Sequence, residues 1–220
     1  LTARLIANGT FVIAVARRKD RLQTLLDAHG PDKVAAEPYD MTDLEGMPEW
    51  VNKLSIQRSI DFTSPTSISL PNISSELTTN YLAPLHLITH FLPHLQSLKP
   101  TQTHVVLVSS GLALVPIPRC PNYCATKSAL HSLAWTLRTQ LAAHDVSSHV
   151  RVIEPDLVAA GQANFGMPLE EFTEETWTAL EEGKEDEIIV GPAKNFAHVE
   201  TDRKTMFDKM AELFRSGSKI

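Results

Sequence analysis

The amino-acid sequence predicts an α/β protein with a doubly wound, mostly parallel sheet that carries helices on both faces. Short apolar runs of strand length alternate along the chain with segments of helical periodicity, a pattern typical of parallel sheets. The chain has 220 residues, enough for one such domain with a substantial core. Its 43% hydrophobic and 21% charged residues are typical of a globular protein.

The first quarter of the chain alternates helices and strands. Residues 1–8 have the spacing of a helix end, and Gly9 lies where a C-cap is expected. The run 11–16 (FVIAVA) predicts a strand, and Leu22, Leu25 and Leu26 predict the buried face of a helix. The segment 34–43 predicts a short strand followed by a loop. The segment 46–54 predicts a short helix.

The rest of the chain continues the alternation. A long helix is predicted from about Ile73 to Leu98, with apolar Leu77, Tyr81, Leu85 and Ile88 at helical spacing. Two further strands, 104–110 and 149–154, enclose a helix from Tyr123 to His144. The charges of the acidic segment 168–187 are interpreted as solvated, and residues 205–215 predict a final helix.

Composition disfavours several classes of function. The net charge of −6 disfavours nucleic acid and anionic membranes as partners, and no apolar run is long enough to span a bilayer. Cys120 and Cys124 lack the pattern of a disulfide framework or zinc site, and the nine histidines show no metal spacing. We therefore expect no metal. No signal-peptide pattern is recognisable, so we expect a cytoplasmic protein.

The most informative stretch places Ser110 at the end of a strand and Tyr123 and Lys127 at the start of the next helix. Residues four apart share one helix face, and a nearby ammonium lowers the pKa of a tyrosine. Ligands of open α/β sheets bind outside the carboxyl ends of the strands. The interpretation is a serine, tyrosine and lysine that act on one substrate. In the alternative, Tyr123 packs in the core and Lys127 is solvated.

This ordered combination resembles the short-chain dehydrogenase/reductase family, and the resemblance covers most of the chain. It implies a Rossmann-like fold, with Ser110 at the family's usual spacing before Tyr123 and Ser109 as the weaker alternative. It further implies that Tyr123 gives a proton to a carbonyl oxygen and Ser110 orients that oxygen. Lys127 would bind the nicotinamide ribose and lower the tyrosine pKa. The segment TTNYLAPLHL matches the region of the family's catalytic asparagine, so Asn80 is the candidate that holds a proton-relay water.

Cofactor preference is predicted from the residues that follow the first strand run. Arg17 and Arg18 stand where an enzyme that prefers NAD carries an acidic residue, and arginine suits a 2′-phosphate. We therefore expect NADP. Asp40 matches the family's aspartate at the adenine ring. In the alternatives, Arg17 and Arg18 belong to a solvated run of charges, and Asp40 is an aspartate that forms a turn.

Three pieces of the family pattern are absent. These are the first strand with its Gly-rich turn, the strand before the long fourth helix, and the Pro-Gly turn after the sixth strand. We expect a single domain over residues 1–220 from which segments are omitted, with breaks at Ser55/Ile56 and Glu154/Pro155. The alternative is a degenerate relative that has lost cofactor binding.

The resemblance implies NADP(H)-dependent interconversion of a carbonyl and an alcohol on a small, apolar substrate. A cofactor-sensing or scaffold protein without turnover is one alternative, and epimerisation or dehydration is another. The family also implies a homodimer or homotetramer built from the long helices. Seven apolar residues predict either a hydrophobic pocket or core: Leu112, Leu114, Val115, Ile117, Phe165, Met167 and Trp177.

Overall fold

A computed structural model describes residues 2–16, 18–38, 60, 62–98, 103–143, 148–154 and 167–215. The chain divides into two compact units, Leu1–Ser55 and Ile56–Ile220. The predicted helix at 46–54 lies outside the described residues. So do one or both residues at each expected break, 55/56 and 154/155. The single domain and its breaks therefore stay predictions.

The first unit contains two strands that pair in parallel. Its elements in order are α1 (Thr2–Ala7), β1 (Val12–Ala16), α2 (Lys19–His29) and β2 (Val34–Pro38). Val12 pairs with Val34 and Ala16 with Pro38. Helix α2 connects the two strands and buries Leu22, as its spacing predicts. Residues 12–38 of the first unit therefore form a strand–helix–strand crossover of the kind that builds parallel sheets.

Helix α1 is capped by Gly9, the glycine that the sequence singles out. Gly9 has φ of +81°, a conformation that side chains with a Cβ rarely adopt. The Gly9 amide donates to the Ile6 carbonyl at 3.1 Å, and the Thr10 amide donates to the Leu5 carbonyl at 3.0 Å. These two bonds form the glycine-based cap that satisfies the last carbonyls of a helix.

The second unit contains a three-stranded parallel sheet in the order β3-β4-β5. Its helices and strands in chain order are α3 (Leu70–Leu77), α4 (Ala83–Ser97), β3 (Thr103–Val108), α5 (Pro121–Ala143), β4 (Ser148–Glu154), α6 (Leu169–Glu182), β5 (Glu187–Ile189) and α7 (Ala197–Arg215). A π-helical turn, Thr78–Leu82, joins α3 to α4. Val105 pairs with Val150, and Ile153 pairs with Ile188.

Two apolar clusters hold this sheet to its helices. The larger joins α4 and α5 to the strands through Ile88, Leu107, Leu130, Ala134, Leu137, Leu141 and Val150. The smaller joins Ile153, Met167, Ile188 and Val190. Because α5 packs across β3 and β4, its first turn is held next to the carboxyl end of β3.

The long helix differs from the sequence prediction in two ways. It begins at Leu70 rather than near Ile73, because Ser69 caps it by accepting from the Asn72 amide at 3.4 Å. Leu77 is 40% exposed although it matches the helical spacing of Ile88, which is buried. The π-helical turn between them widens the helix and shifts its phase, which a uniform spacing does not capture.

The acidic segment 168–187 is largely helical. It contains α6 and the first residue of β5, Glu187, and it buries Thr176. Its charged side chains at Glu170, Glu171 and Glu174 are exposed, as expected. Among the residues that the structure describes, no helix combines the length and apolar character needed to cross a membrane.

Candidate active site

The candidate site lies where β3 ends and α5 begins. Ser109 and Ser110 follow β3 directly and are each 1% exposed. The Ser109 amide extends the strand ladder by donating to the Ile153 carbonyl at 2.8 Å. Its hydroxyl donates to the Lys127 carbonyl at 3.3 Å, so Ser109 braces the backbone of α5. Ser110 caps the short turn that follows, accepting from the Leu112 amide at 3.2 Å.

Tyr123 and Lys127 lie on one face of the first two turns of α5. The Lys127 Nζ is 5.7 Å from the centre of the Tyr123 ring. It donates to the Val108 carbonyl, the last carbonyl of β3, at 2.9 Å. The Ser110 side chain hydrogen-bonds to Tyr123. The structure therefore brings together the serine, tyrosine and lysine that the sequence singles out.

The electrostatics of Tyr123 differ from the sequence expectation. Burial of the phenol raises the pKa of Tyr123 to about 12, and the negative charge of Glu76 acts in the same direction. The hydrogen bond to Ser110 lowers this pKa but does not outweigh burial. The expectation that a neighbouring ammonium lowers the pKa of Tyr123 is thus wrong for this state. The Lys127 ammonium binds a backbone carbonyl, and the phenol is held protonated.

Lys127 is also shifted by burial. Desolvation lowers the pKa of Lys127 to about 8, while the negative charge of Glu76 acts in the opposite direction. Burial disfavours the charged form of an amine, so an ammonium is costly to keep here. Strong shifts from desolvation and a specific charge partner are more frequent at functional sites than elsewhere in proteins.

Asn80 lies on the π-helical turn and reaches α5. Its Nδ2 donates to the Thr126 Oγ1 at 3.0 Å, and the Thr126 hydroxyl donates to the Tyr123 carbonyl at 2.8 Å. The partner of the Asn80 amide is thus a side chain of α5 and not a neighbouring backbone group. π-Helical turns inside helices are frequent at functional sites. Asn80 is therefore tied to the first turn of α5.

Of the three residues expected at the adenosine end of a dinucleotide, the structure describes Arg18 alone. Arg17 and Asp40 lie outside the described residues. Arg18 follows β1, occupies the N-cap position of α2 and is exposed. An exposed guanidinium beyond the carboxyl end of a parallel strand can receive a phosphate.

Sequence reasoning missed three polar residues of the site, Glu76, Asn122 and Thr126. Glu76 is 4% exposed and Thr126 is 2% exposed. The Asn122 Nδ2 donates a hydrogen bond to the Glu76 carboxylate. The available signal is that Glu76 lies four residues before Asn80, on the same helix face. Its partner is distant in sequence, so the contact itself could not be read.

A second polar cluster lies farther along α5. His131 Nε2 is 2.7 Å from Glu200 Oε1 of α7, and Arg138 Nη1 is 2.7 Å from Glu187 Oε1 of β5. Donor atoms of His131, Glu187 and Glu200 lie within 4.8 Å of one another, which is close enough to bind a metal ion. Arg138 already places a fixed positive charge beside Glu187, which disfavours a cation. We interpret this cluster as a structural link between α5, β5 and α7.

The predicted pocket residues divide between core and surface. Leu114 and Met167 are buried, and Met167 belongs to the smaller core cluster. Ile117 is 42% exposed, and Phe165 lies outside the described residues. A groove of about 460 Å³ follows β3 and α4 from His104 to Lys127. It runs along the strand and does not enclose the serine and tyrosine, so we do not assign a substrate to it.

The chain as a whole matches known proteins. The family model for "short chain dehydrogenase" matches residues 1–166. The chain is 34% identical over 211 residues to "Uncharacterized oxidoreductase DltE" of Bacillus subtilis, covering 84% of this chain and 81% of that protein. It is 26% identical over 170 residues to "NADP-dependent 3-hydroxy acid dehydrogenase YdfG" of Salmonella typhi, covering 72% and 66%.

Other relatives are longer than this chain. "11-beta-hydroxysteroid dehydrogenase-like 4A" of Arabidopsis thaliana is 28% identical over 174 residues, and the match covers 71% of this chain. It covers 55% of that plant protein, so the chain spans about half the length of this relative.

Solved structures share the fold at low sequence identity. A short-chain dehydrogenase from Streptomyces avermitilis superposes with a TM-score of 0.70 at 19% identity, covering 100% of this chain and 96% of that one. A short chain dehydrogenase from Burkholderia cenocepacia in complex with NADP has a TM-score of 0.62 at 20% identity, covering 91% and 97%. These likenesses establish the Rossmann-type α/β fold that the sequence predicts.

Proposed function

The chain belongs to the short-chain dehydrogenase family of oxidoreductases, and we propose that it catalyses NADP(H)-dependent interconversion of a carbonyl and an alcohol. The observation that carries the proposal is the group of Ser110, Tyr123 and Lys127 at the carboxyl end of β3. A protonated phenol, a serine hydroxyl and a partly desolvated ammonium converge there. This set of groups is suited to proton transfer to and from a substrate oxygen.

In the proposed reaction Tyr123 is the general acid. For carbonyl reduction its hydroxyl donates a proton to the substrate oxygen, and for alcohol oxidation the phenolate accepts that proton. The pKa of about 12 keeps the phenol protonated at neutral pH, the form that a general acid requires. Ser110 donates a hydrogen bond to the same oxygen and orients it.

Lys127 and Asn80 support the tyrosine in this proposal. The ammonium of Lys127 binds the ribose beside the nicotinamide and stabilises negative charge that develops on the phenol. Asn80 holds a water through which the proton is replaced. When bound, NADP(H) supplies or accepts the hydride, a chemistry that belongs to the cofactor.

The preference for NADP rests on the basic residues after β1. Arg18 is exposed there and fits a 2′-phosphate; we assign Arg17 to the same group and Asp40 to the adenine ring. A relative is named as NADP-dependent, and the Burkholderia structure holds NADP. We propose that the substrate is small and apolar. A homodimer or homotetramer formed through the long helices is also part of this proposal.

The function is tested by following NADPH and NADH consumption at 340 nm with a panel of ketones and aldehydes. Cofactor binding is measured in parallel by calorimetry. We expect turnover with NADPH, and about tenfold weaker NADPH binding by Arg18→Ser with little change for NADH. The neighbouring exposed Lys19→Ser is the matched control. A protein that binds NADPH but consumes none with any carbonyl would instead be the scaffold or sensor, and equal use of NADH would contradict the NADP assignment.

A further inference from the structure

A buried carboxylate lies against the first turn of α5. Glu76 is 4% exposed and projects from the last turn of α3. Its Oε2 accepts a hydrogen bond from Asn122 Nδ2, and the same amide donates to the Ile73 carbonyl at 3.4 Å. Asn122 immediately precedes Tyr123. A charged carboxylate is rarely buried without a specific role, because burial of a charge is costly.

This contact is one of two between the same pair of helices. Asn80 lies four residues after Glu76, and Thr126 lies four residues after Asn122, so each pair occupies one helix face. Asn80 Nδ2 donates to Thr126 Oγ1 at 3.0 Å. Two polar contacts thus join the α3 side to α5, and Tyr123 lies between Asn122 and Thr126 in sequence. The first contact carries a negative charge, whereas the second is between neutral groups.

We propose that Glu76 is a positioning residue for the Tyr123–Lys127 pair, fixing the first turn of α5 through Asn122 and stabilising the ammonium of Lys127 by its negative charge. The inference rests on the proposed function of that pair. Neither the comparisons nor the family motif assigns a role to Glu76. It acts through other residues and does not itself contact a reacting atom.

Several charged and titratable groups surround this carboxylate. Glu76 acts electrostatically on Tyr123 and Lys127 of α5 and on Cys120 of the preceding loop. Cys124 and Arg119 act in turn on Cys120. The charge of Glu76 raises the pKa of Lys127 against the opposing effect of burial. It also raises the pKa of Tyr123. Glu76 therefore favours the protonated form of both groups.

The test replaces the charge and keeps the shape. Glu76→Gln retains an oxygen that can accept from Asn122 but removes the negative charge. The protonation of Lys127 is followed by NMR in the free protein, grown with lysine labelled with ¹³C at Cε, and Lys127→Arg identifies its signal. We expect Glu76→Gln to move the Lys127 midpoint to lower pH by on the order of half a unit or more. An unchanged Lys127 midpoint in the folded variant would overturn the proposal. If Glu76 had only a structural role, its replacement would lower stability and leave the Lys127 midpoint where it is.

Two further variants separate charge from position. Glu212→Gln makes the same chemical change at an exposed site on α7 and should leave the Lys127 midpoint unchanged. Asn122→Ala removes the contact and keeps the carboxylate. It should lower kcat about tenfold or more with little change in KM for the carbonyl, because a misplaced acid slows the chemical step. Wild-type kcat in Asn122→Ala would overturn the positioning role, and this readout also decides the matter if Glu76→Gln does not fold.

The activity readout is the pH profile of carbonyl reduction. Without the charge of Glu76 the phenol loses its proton at lower pH, so the alkaline limb should move to lower pH in Glu76→Gln. If the wild-type protein shows no turnover, the proposed function fails, whereas the NMR titration still decides whether Glu76 controls Lys127. The two failures are therefore distinguishable.

Discussion

Helix α5 carries two polar clusters that differ in how their charges are compensated. At its start, Tyr123 and Lys127 lie beside Ser110. Burial raises the pKa of Tyr123 and lowers the pKa of Lys127, which favours the uncharged form of each. Farther along, His131 and Arg138 contact the carboxylates of Glu200 and Glu187 at 2.7 Å each. We refer to these as the first-turn cluster and the mid-helix cluster.

The two clusters also differ in the partners that their side chains contact. In the mid-helix cluster the Trp135 indole also donates to Glu187 at 2.9 Å, and the partners come from β5 and α7. Such a network stabilises the arrangement of elements. In the first-turn cluster the Lys127 ammonium donates to a neutral carbonyl instead. Burial disfavours the charged form of the Lys127 amine, and such an arrangement lowers the stability of the fold. Arrangements of this kind are typical of functional sites.

The largest expected effect is on turnover when Lys127 is replaced. Lys127→Met should lower kcat/KM for carbonyl reduction by about 10³-fold or more, because the ammonium that binds the ribose and stabilises the phenolate is lost. Steady-state kinetics with NADPH measure this. The matched control is Lys204→Met on α7, whose side chain pairs with Asp208 and should leave kcat/KM unchanged. Retained turnover in Lys127→Met would place the chemistry elsewhere.

The next effect concerns stability in the mid-helix cluster. Glu200→Leu leaves His131, which is 0% exposed, without this carboxylate and should lower the free energy of unfolding by about 3 kcal/mol. Urea denaturation measures the change. The double variant His131→Leu with Glu200→Leu should recover part of the loss, because an apolar pair requires no compensation. The folded fraction of each variant should keep wild-type kcat. A selective loss of kcat would make this cluster part of the active site.

The smallest expected effect is the pH dependence of stability that Lys127 contributes. Between its native pKa of about 8 and its ordinary value of 10.5, the unfolded chain binds a proton at Lys127 that the native chain does not. Stability from this group therefore rises with pH across that window. Lys127→Met should be more stable than wild type by about 1 kcal/mol at pH 7, after allowance for solvent screening. Denaturation at pH 7 and pH 10 should show the difference shrink, and a difference that grows with pH would contradict it.

The sequence could predict those parts of the site that depend on local spacing. Ser110 follows an apolar strand, and Tyr123 and Lys127 are four residues apart, so their convergence needs only a strand, a turn and a helix. The alternation of helices and strands was also predictable, because it too depends on the local spacing of apolar residues. Arg17 and Asp40 stay predictions, because they lie outside the described residues.

Other features depend on contacts between distant segments. The Glu76 carboxylate meets an amide 46 residues away, and His131 meets a carboxylate 69 residues away. The rise in the pKa of Tyr123 comes mainly from burial, which tertiary packing determines. The presence of Lys127 four residues after Tyr123 therefore predicted a shift of the tyrosine pKa in the wrong direction. The π-helical turn at Asn80 is equally invisible to a pattern that assumes 3.6 residues per turn.

The most direct test of the account is Tyr123→Phe, with turnover and NADPH binding measured on the same preparation. The substitution removes one hydroxyl and preserves the ring over which Lys127 lies. We expect a loss of about 100-fold or more in kcat, the contribution of a general acid, with NADPH affinity nearly unchanged. Turnover comparable to wild type, with NADPH still bound, would contradict the assignment of the first-turn cluster as the catalytic site.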